Sequence, residues 1–368
     1  MADSADYKFM ELALSLAEKG RGKTKPNPMV GAVLVKNGKI IGQGYHRAVG
    51  KDHAEIAALK DAQRQAKGAT LYVNLEPCCH SGRTGPCTKA IINAKISKVV
   101  LAKKDPNPLV NGKGIAQLRK SGVKVVTGIL AKEAALLNDS YYAFYKNKRP
   151  FVILKLAQTI DGRIASLNGD SKWISSHRSL KMVHKLRAEV DGVVVGMGTV
   201  KADNPSLTVR YVKGENPYRI IISESLKFPP KTKLLDNNRD FKTIIATTEK
   251  AMGKFSKTKR GRNIIYWLLK KNRQSGISLT DFLEKARDFN LRSLLVEGGS
   301  KLATSFLKAG LVDKLILITA PMILGNGINT IDELNIRRLS QSIKFRNEYC
   351  FKNGKDFVFV GYPQKGGR

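Results

Sequence analysis

Three short stretches decide the fold of the N-terminal half of the chain: His53-Ala54-Glu55, Pro77-Cys78-Cys79-His80 and Pro86-Cys87. One imidazole and two thiolates can hold a zinc ion on three sides and leave the fourth position for water. Zinc brings the pKa of that water near neutrality, so hydroxide is available at physiological pH. The stretches therefore predict a zinc site whose ligands are His53, Cys78 and Cys87.

Glu55 decides between two kinds of zinc site. A structural zinc site normally has four protein ligands, and Cys79 or His80 could supply the fourth. A carboxylate two residues after the histidine ligand is instead placed to take a proton from the bound water and deliver it to a leaving group. Proline also precedes both cysteine ligands. The pattern favours catalysis, with Glu55 as general base and then general acid.

The length and composition are those of a two-domain globular protein. The 368 residues are enough for two cores, and the hydrophobic fraction is 42%. No run approaches the roughly 20 apolar residues that cross a bilayer, and the acidic N-terminus lacks a signal-peptide core. Three of the four cysteines lie between Cys78 and Cys87, which favours metal binding in a reducing compartment over a disulfide framework. We therefore expect a cytoplasmic protein with no membrane partner.

The formal net charge of +35 would attract nucleic acid, anionic lipid or phosphorylated metabolites. A nucleic-acid-binding protein usually concentrates its basic residues in a stripe or tail. Here lysine and arginine are scattered along the chain, which is typical of solvent-facing positions. The charge suits an anionic small molecule, and a nucleic-acid partner is not expected.

The first half alternates helices and short strands. Apolar residues at helical spacing predict a helix over 5–19, and two apolar runs around Asn37-Gly38 predict a hairpin. Further helices are expected over 53–66 and 88–94. The remaining strands are expected at 70–75, 99–101 and 123–126. The zinc ligands would then lie near the start of one helix and around the loop that enters the next.

The second half has a different pattern. A polar, basic stretch with a proline, at 146–150, predicts a linker and thus two domains, 1–148 and 149–368. Beyond it, apolar strands alternate with helical segments such as 177–189 and 302–309, which predicts an open, largely parallel α/β sheet. The strands are expected at 151–156, 193–195, 220–222, 244–245, 264–266, 294–296 and 315–318, with an antiparallel edge at 357–360.

The zinc motifs resemble those of the cytidine-deaminase superfamily, in which His-x-Glu and Pro-Cys build a catalytic zinc site. That superfamily usually spaces its cysteines as Pro-Cys-x-x-Cys, whereas eight residues separate Cys78 from Cys87 here. The longer loop, together with Asn27-Pro28-Met29-Val30-Gly31 and Glu76-Pro77-Cys78, resembles the bifunctional riboflavin-biosynthesis deaminase/reductase family. Cys79 lies where that family is variable, and we assign it no role.

The second half resembles the reductase domain of the same family. The matching motifs occur in order at 155–165, 173–176, 203–210 and 296–300. The resemblance covers nearly the whole chain. It implies a two-domain α/β protein, with a cytidine-deaminase-like three-layer α/β/α domain and then a dihydrofolate-reductase-like α/β sheet. No Gly-x-Gly-x-x-Gly motif follows a strand, so a Rossmann dinucleotide site is not expected.

The resemblance implies two consecutive steps of riboflavin biosynthesis. Zinc-bound hydroxide would first deaminate 2,5-diamino-6-(5-phosphoribosylamino)pyrimidin-4-one to 5-amino-6-(5-phosphoribosylamino)uracil. NADPH would then reduce the ribosyl chain to ribityl, since cofactors carry hydride while the protein supplies orientation and charge. The implied cofactors are Zn²⁺ and NADPH, the implied partner is this phosphorylated pyrimidine, and a homo-oligomer, dimer or tetramer, is expected.

The resemblance also implies which residues bind the two ligands. The expected NADPH contacts are Ala157, Trp173, Thr199, Asp203, Gly299, Ser300, Lys301, Leu302, Ala303, Thr304 and Ser305. The expected substrate contacts are Asn27 in the first half and Lys155, Ser171, Arg187, Leu207, Arg210 and Glu297 in the second. Both arginines suit the phosphate because a guanidinium donates two parallel hydrogen bonds. Ion pairs, turn caps and, for Trp173, a core position are the structural alternatives.

Three other functions stay open. The basic charge would fit a tRNA or nucleobase deaminase, although the long cysteine spacing and the second domain then lack an explanation. A zinc-stabilised binding module without catalysis would not need Glu55. An active deaminase could also be joined to a decayed reductase, and the intact motifs at 203–210 and 297–300 favour an active reductase instead.

Overall fold

The computed structural model describes residues 4–81, 85–172, 174–236, 243–253, 264–272 and 276–364. The chain divides into two compact units, Met1–Lys148 (unit 1) and Arg149–Arg368 (unit 2). Among the described residues, no helix combines the length and the apolar character needed to cross a lipid bilayer.

Unit 1 contains six helices and five strands within the described residues. The helices are α1 (Ser4–Glu18), α2 (Ala54–Ala62), α3 (Cys87–Asn93), α4 (Lys113–Lys120), α5 (Ala131–Leu137) and α6 (Asp139–Asn147). The strands are β1 (Gly31–Lys36), β2 (Lys39–Tyr45), β3 (Thr70–Leu75), β4 (Lys98–Lys103) and β5 (Lys124–Thr127).

The five strands form one sheet in the order β2-β1-β3-β4-β5. β1 and β2 pair antiparallel around Asn37-Gly38, whose positive φ values of 51° and 73° close the turn, so the expected hairpin is confirmed. β1 is also antiparallel to β3, whereas β3, β4 and β5 are parallel.

Alternation along β1 divides the core of unit 1 into two layers of side chains. Ala32 and Leu34 pack with α2, α3 and α4 on one face of the sheet. Val33 and Val35 pack with α1 and α5 on the other. Since successive strand residues point to opposite faces of the sheet, β1 contributes side chains to both core layers. The result is the expected three-layer α/β/α domain.

Two expectations for unit 1 need correction. The helix expected over 53–66 ends at Ala62, because Gln63 takes a φ of 49° and a 3-10 turn, Gln63–Ala66, follows. The linker expected over 146–150 is shorter in the structure, where it covers 148–150. Helix α6 runs into it as far as Asn147, and the first strand of unit 2 begins at Phe151.

Unit 2 is built from a larger sheet with helices between its strands. Its strands are β6 (Phe151–Thr159), β7 (Arg163–Ala165), β8 (Gly192–Gly196), β9 (Tyr218–Ile222), β10 (Thr243–Thr247), β11 (Ile264–Leu268), β12 (Lys271–Asn272), β13 (Gly276–Ile277), β14 (Ser293–Val296), β15 (Lys314–Ala320), β16 (Ile328–Asn329), β17 (Phe345–Asn353) and β18 (Asp356–Pro363). Its helices are α7 (His177–Glu189), α8 (Met197–Asp203), α9 (Lys233–Asp236), α10 (Glu249–Gly253), α11 (Leu279–Asp288) and α12 (Ser300–Lys308).

Nine of these strands form one sheet in the order β11-β10-β9-β8-β14-β6-β15-β18-β17. The strands from β11 to β15 are parallel, and β18 and β17 add the antiparallel edge that the sequence predicts. Each strand expected in this half lies inside a strand of the structure. In an open parallel sheet, the carboxyl ends of the strands form the crevice in which ligands bind.

Candidate active sites

Two helix starts and one strand end position the zinc-ligand residues of unit 1. His53 is the N-cap of α2, and Glu55 lies in the first turn of that helix. Cys87 is the first residue of α3, whose N-cap is Pro86. Cys78 follows β3 and its thiol accepts a hydrogen bond from the Cys87 backbone N–H (3.4 Å). Helix N-termini favour negative charge, which suits coordinated thiolates.

The distances fit a zinc ion. His53 Nδ1 lies 3.2 Å from Cys87 Sγ and 3.6 Å from Cys78 Sγ. The ligand atoms of the three residues all lie within 4.8 Å of one another. A tetrahedral zinc with ordinary bond lengths would separate its nitrogen and sulfur ligands by about 3.6 Å. The donor set of one imidazole and two thiols therefore matches the metal in both chemistry and size.

Burial and charge set the ionisation of this group. Hydrogen bonding from Cys87 is the main cause that lowers the pKa of Cys78 to about 4, and it outweighs burial. Burial, with the neighbouring Cys78, raises the pKa of Glu55 to about 7. Glu55 is almost fully buried, and its carboxyl group lies beside the ligands without being one of the three.

The residues considered for a fourth ligand have other surroundings. The Cys79 thiol donates to the backbone carbonyl of Leu109 (3.7 Å). In the described part of the chain, the group of side chains able to hold a metal comprises His53, Cys78 and Cys87, without Cys79 or His80. Three protein ligands leave one tetrahedral position free, which is the arrangement of a catalytic zinc site.

Asn27 lies next to this group through a histidine that the sequence analysis did not single out. His46 Nε2 is 3.2 Å from Asn27 Nδ2, and its Nδ1 is 3.1 Å from the carbonyl of Asp52. Because a carbonyl only accepts, Nδ1 carries the proton and Nε2 accepts from the Asn27 amide. The His46 and His53 rings meet edge to face at 5.3 Å. The only sequence signal for His46 was its position at the end of β2.

Unit 2 has a cavity of about 940 Å³ at the carboxyl ends of its parallel strands. Gly196 ends β8 at its wall, and Glu297 follows β14 there. The cavity brings together most of the residues predicted for this half. These are Lys155, Ala157, Ser171, Arg187, Thr199, Asp203, Leu207, Arg210, Glu297, Gly299, Ser300, Lys301, Leu302 and Ser305.

Three of the predicted NADPH contacts are not among the lining residues. Ala303 and Thr304 lie on the buried side of α12, where Ala303 joins the hydrophobic core. The Thr304 hydroxyl accepts from the backbone N–H of Asp332 (2.8 Å). Trp173 lies outside the described residues. Ser171 and Asp203, predicted for different ligands, are joined by a hydrogen bond of 3.2 Å.

A group of charged side chains, buried or partly buried, lines the cavity: Lys155, Arg187 and Glu297. Arg187 Nε and Nη2 donate to the two oxygens of Glu297 (2.7 and 3.0 Å), and Nη1 donates to the carbonyl of Thr208 (3.2 Å). Burial opposes the charge of Glu297, but Arg187 and Lys155 outweigh it and lower the pKa of the carboxyl group. Burial lowers the pKa of Lys155, and Glu297 partly offsets that effect. Arg187 is therefore paired with Glu297, and its predicted contact with the substrate phosphate stays a prediction.

A second histidine, also missed from sequence, supports the loop that carries Arg210. His184 is fully buried, and its Nδ1 accepts the backbone N–H of Arg210 (2.9 Å). Its ring and that of Tyr211 lie nearly perpendicular, with centroids 4.7 Å apart. Burial, with Arg187 and Arg210 nearby, lowers the pKa of His184 to about 4, which keeps the ring neutral. In the same loop, Leu207 holds a φ of 53°.

The start of α12 fits the phosphates of a dinucleotide. Its N-cap, Gly299, makes no side-chain cap, and the buried Ser300 hydroxyl has no hydrogen-bond partner among the residues that the structure describes. Gly299 N donates to Thr199 Oγ1 (3.1 Å), which joins this turn to α8. A Cβ on Gly298 would lie 2.8 Å from Leu302, so only glycine fits the turn. A buried, unpaired hydroxyl at a helix N-terminus suits an anion.

Known proteins match both units. The family described as "Cytidine and deoxycytidylate deaminase zinc-binding region" matches residues 3–103. The family described as "RibD C-terminal domain" matches residues 150–359. Among curated proteins, the riboflavin biosynthesis protein RibD of Aquifex aeolicus is 46% identical over 97% of this chain and 98% of its own length. The RibD of Escherichia coli is 36% identical over 93% of this chain and 95% of its own length.

Solved structures agree over the full length. RibD of Acinetobacter baumannii superposes with a TM-score of 0.86 at 33% identity, covering 98% of this chain and 99% of the other. A Thermotoga maritima protein described as a diaminohydroxyphosphoribosylaminopyrimidine deaminase/5-amino-6-(5-phosphoribosylamino)uracil reductase gives a TM-score of 0.85 at 34% identity, with the same coverage. The chain therefore belongs to the RibD family of riboflavin biosynthesis proteins.

Proposed function

We propose that the residues gathered in the two units carry out two consecutive reactions on one phosphorylated pyrimidine. The chain is a bifunctional enzyme of riboflavin biosynthesis, a zinc-dependent deaminase and an NADPH-dependent reductase. The main support for the residue roles is the grouping of His53, Cys78 and Cys87, with the buried Glu55 two residues after His53. The same chain also holds a cavity lined by basic side chains and by the start of a helix.

In unit 1, deamination replaces an exocyclic amine of the ring with oxygen and releases ammonia. His53, Cys78 and Cys87 would hold a zinc ion, which would lower the pKa of a water molecule so that it could act as the nucleophile. Glu55 takes a proton from the water and gives it to the departing amine. Asn27 orients the ring: one of its two Nδ2 hydrogens is donated to His46, so its amide oxygen and the second N–H are left to meet the ring.

In unit 2, reduction adds one hydride and one proton to the ring-opened ribosylamine. The start of α12, with Thr199 and Asp203, would hold NADPH, which would supply the hydride that reduces the imine carbon. Lys155, with its lowered pKa, gives the proton to the imine nitrogen. The paired charges of Glu297 and Arg187 surround that lysine. Arg210, which is exposed, binds the phosphate.

The assembly and the location are further parts of the proposal. Tyr349 and Phe351 are exposed aromatic side chains on the edge strand β17, and their rings stack with centroids 6.1 Å apart. This exposed aromatic pair at a sheet edge supports a homo-oligomer, since exposed apolar patches commonly mark interfaces. The free thiols of Cys78, Cys79 and Cys87 support a reducing compartment such as the cytoplasm.

Mass spectrometry of the purified, zinc-loaded protein tests both reactions. The diaminopyrimidinone ribosylamine phosphate should gain about 1 Da without NADPH, as oxygen replaces the amine, and two further hydrogens only when NADPH is added. Removing zinc with a chelator should abolish the first change and spare the second when deaminated substrate is supplied. An unchanged substrate with zinc bound would reject the proposal, and an RNA substrate would be tested next.

A further inference from the structure

The loop that carries Asn27 is fixed by two buried asparagines that the chemistry above does not use. Asn138 Oδ1 accepts the backbone N–H of Met29 (2.8 Å), and Asn138 Nδ2 donates to the carbonyl of the same residue (2.9 Å). Asn74 Nδ2 also donates to the Met29 carbonyl (3.0 Å), and its Oδ1 accepts from Gly31 N (2.8 Å). Every polar backbone atom of Met29 is thus held by a side-chain amide.

Asn138 and Asn74 are 4% and 1% exposed, so these hydrogen bonds do not compete with water. A buried amide that loses a partner leaves an unsatisfied polar group, which destabilises that arrangement of the chain. The far end of the loop is equally fixed, because a Cβ on Gly31 would lie 2.0 Å from the carbonyl of Ala13. The backbone at Met29 therefore has one position available to it.

The position of Met29 is transmitted to Asn27 by a single residue. Pro28 separates the two, and its ring fixes its φ near −65°. Asn27 N also bonds back to the carbonyl of Thr24 (2.7 Å), and its side chain reaches His46. A shift of Met29 would therefore move the Asn27 amide relative to the zinc-ligand group rather than be absorbed within the loop.

Asn138 comes from a part of the chain without an assigned role. It lies between α5 and α6, outside both matched families, which cover residues 3–103 and 150–359. It is 109 residues from Met29 in sequence. Three residues later, Tyr141 donates to the buried Asp105 (2.9 Å), so the start of α6 is itself firmly held.

We propose that Asn138 is a positioning residue of the deaminase: by clamping both backbone polar atoms of Met29, it holds Asn27 where the pyrimidine ring binds. The proposal rests on the proposed role of Asn27 as a substrate contact. Asn138 does not touch the substrate or the zinc ligands. Its contribution is to remove conformational freedom from the loop before the substrate arrives, which lowers the free-energy cost of binding.

The test is a double-mutant cycle on the full-length, zinc-loaded protein, with Asn138→Asp and Asn27→Ala. Aspartate keeps the shape of Asn138 but places an oxygen against the Met29 carbonyl, where the amide donated. We expect deaminase kcat/KM to fall by about 10- to 100-fold in Asn138→Asp, mostly through KM. Bound zinc should stay equal to wild type, and reduction of supplied deaminated substrate should be unchanged.

In the Asn27→Ala background, Asn138→Asp should have little further effect, because both changes remove the same substrate contact. Two matched controls accompany the cycle. Asn93→Asp makes the same chemical change at an exposed position of α3, and Lys132→Gly weakens α5 at an exposed position. Both should keep wild-type deaminase KM.

Several outcomes would overturn the proposal. Wild-type kinetics in Asn138→Asp would show that the clamp is not needed, and additive effects with Asn27→Ala would show that Asn138 acts elsewhere. Loss of zinc, or an equal loss in Lys132→Gly, would make the role of Asn138 purely structural. A silent Asn27→Ala would remove the contact through which Asn138 is proposed to act. Failure of the deaminase assignment itself is distinct, since the wild-type protein would then leave the substrate unchanged.

Discussion

The zinc-ligand group of unit 1 and the cavity of unit 2 hold their chemistry in different ways. In unit 1, three ligand atoms within 4.8 Å of one another come from two helix starts and one loop. In unit 2, the candidate residues are spread around about 940 Å³ and come from several strand ends. A metal site is compact because the ion imposes bond lengths, whereas a cavity for a dinucleotide has to be as large as its ligand.

This difference affects how each site tolerates change. The zinc-ligand group concentrates its function in a few side chains, each of which has a role that no neighbour can replace. The unit 2 cavity distributes binding over many contacts, so most single changes should reduce activity without abolishing it. Because both activities are on one chain, each variant carries its own control in the other unit.

Glu55→Gln should give the largest effect. Glutamine keeps the size of the side chain but cannot take a proton, so deamination should fall by at least about 1,000-fold. Zinc content and the reductase activity should equal those of the wild type. The matched control is Glu133→Gln, an exposed glutamate of α5, which should keep full activity. Steady-state kinetics with metal analysis would check this, and retained deamination would reject Glu55 as the proton carrier.

Glu297→Gln tests whether a single residue of unit 2 matters as much for reduction as Glu55 does for deamination. The change leaves the guanidinium of Arg187 buried without its carboxylate partner, and breaking a buried pair costs about 3–5 kcal/mol. We expect unit 2 to lose stability by that order and the reductase activity to fall by about 10- to 100-fold. Both tryptophans of the chain, Trp173 and Trp267, belong to unit 2, so fluorescence during urea unfolding reports this unit alone.

The deaminase activity of Glu297→Gln should be unchanged under conditions where unit 2 stays folded. The control is Glu284→Gln, an exposed position of α11. If Glu297→Gln leaves both stability and reduction at wild-type values, the buried pair does not organise the cavity. A collapse of deamination in the same variant would contradict the independence of the two activities.

The same contrast explains what the sequence predicts and what it does not. His53, Cys78 and Cys87 were found because zinc requires these residue types, and helix starts and prolines mark their positions. The strands of unit 2 were found because continuous apolar runs are typical of buried parallel strands. Asn37-Gly38 fixed the hairpin, because its residues tolerate positive φ.

Pairings between distant residues could not be predicted. Arg187 was expected to bind a phosphate, yet it contacts Glu297, which is 110 residues away. His46 and Asn138 carry no periodic pattern, and their partners are set only by tertiary packing. The short helices α4, α5 and α6 were also missed, because each has only two or three turns on which an apolar pattern can appear. Motifs formed by residues close in sequence can therefore be predicted from the sequence, whereas contacts between distant residues require the structure.

His184 should make the stability of unit 2 depend on pH. Its pKa is about 4 in the folded protein, lowered by burial and by Arg187 and Arg210, against 6.5 when unfolded. Between these values the unfolded state binds more protons, so stability should fall as the pH falls from about 6.5 to about 4. The loss should reach about 2–3 kcal/mol.

Urea unfolding followed by tryptophan fluorescence at several pH values measures this loss. His184→Gln should flatten the profile between pH 4 and 6.5, since glutamine does not titrate and can still accept from Arg210 N. His177→Gln is the control, because that exposed histidine contacts Tyr211 from the other side. An identical pH profile in His184→Gln would show that another group controls the acid sensitivity of the unit.

Thr199→Val should give the smallest effect and tests how far binding is distributed in unit 2. Valine keeps the shape of the side chain and removes the hydroxyl that accepts from Gly299 N at 3.1 Å. One neutral hydrogen bond contributes about 0.5–1.5 kcal/mol, so KM for NADPH should rise about 3- to 10-fold with kcat nearly unchanged. Thr199→Ser keeps the hydroxyl and should behave like the wild type. A loss of 1,000-fold would instead place Thr199 alongside Glu55, and the cavity would then depend on single residues as the zinc site does.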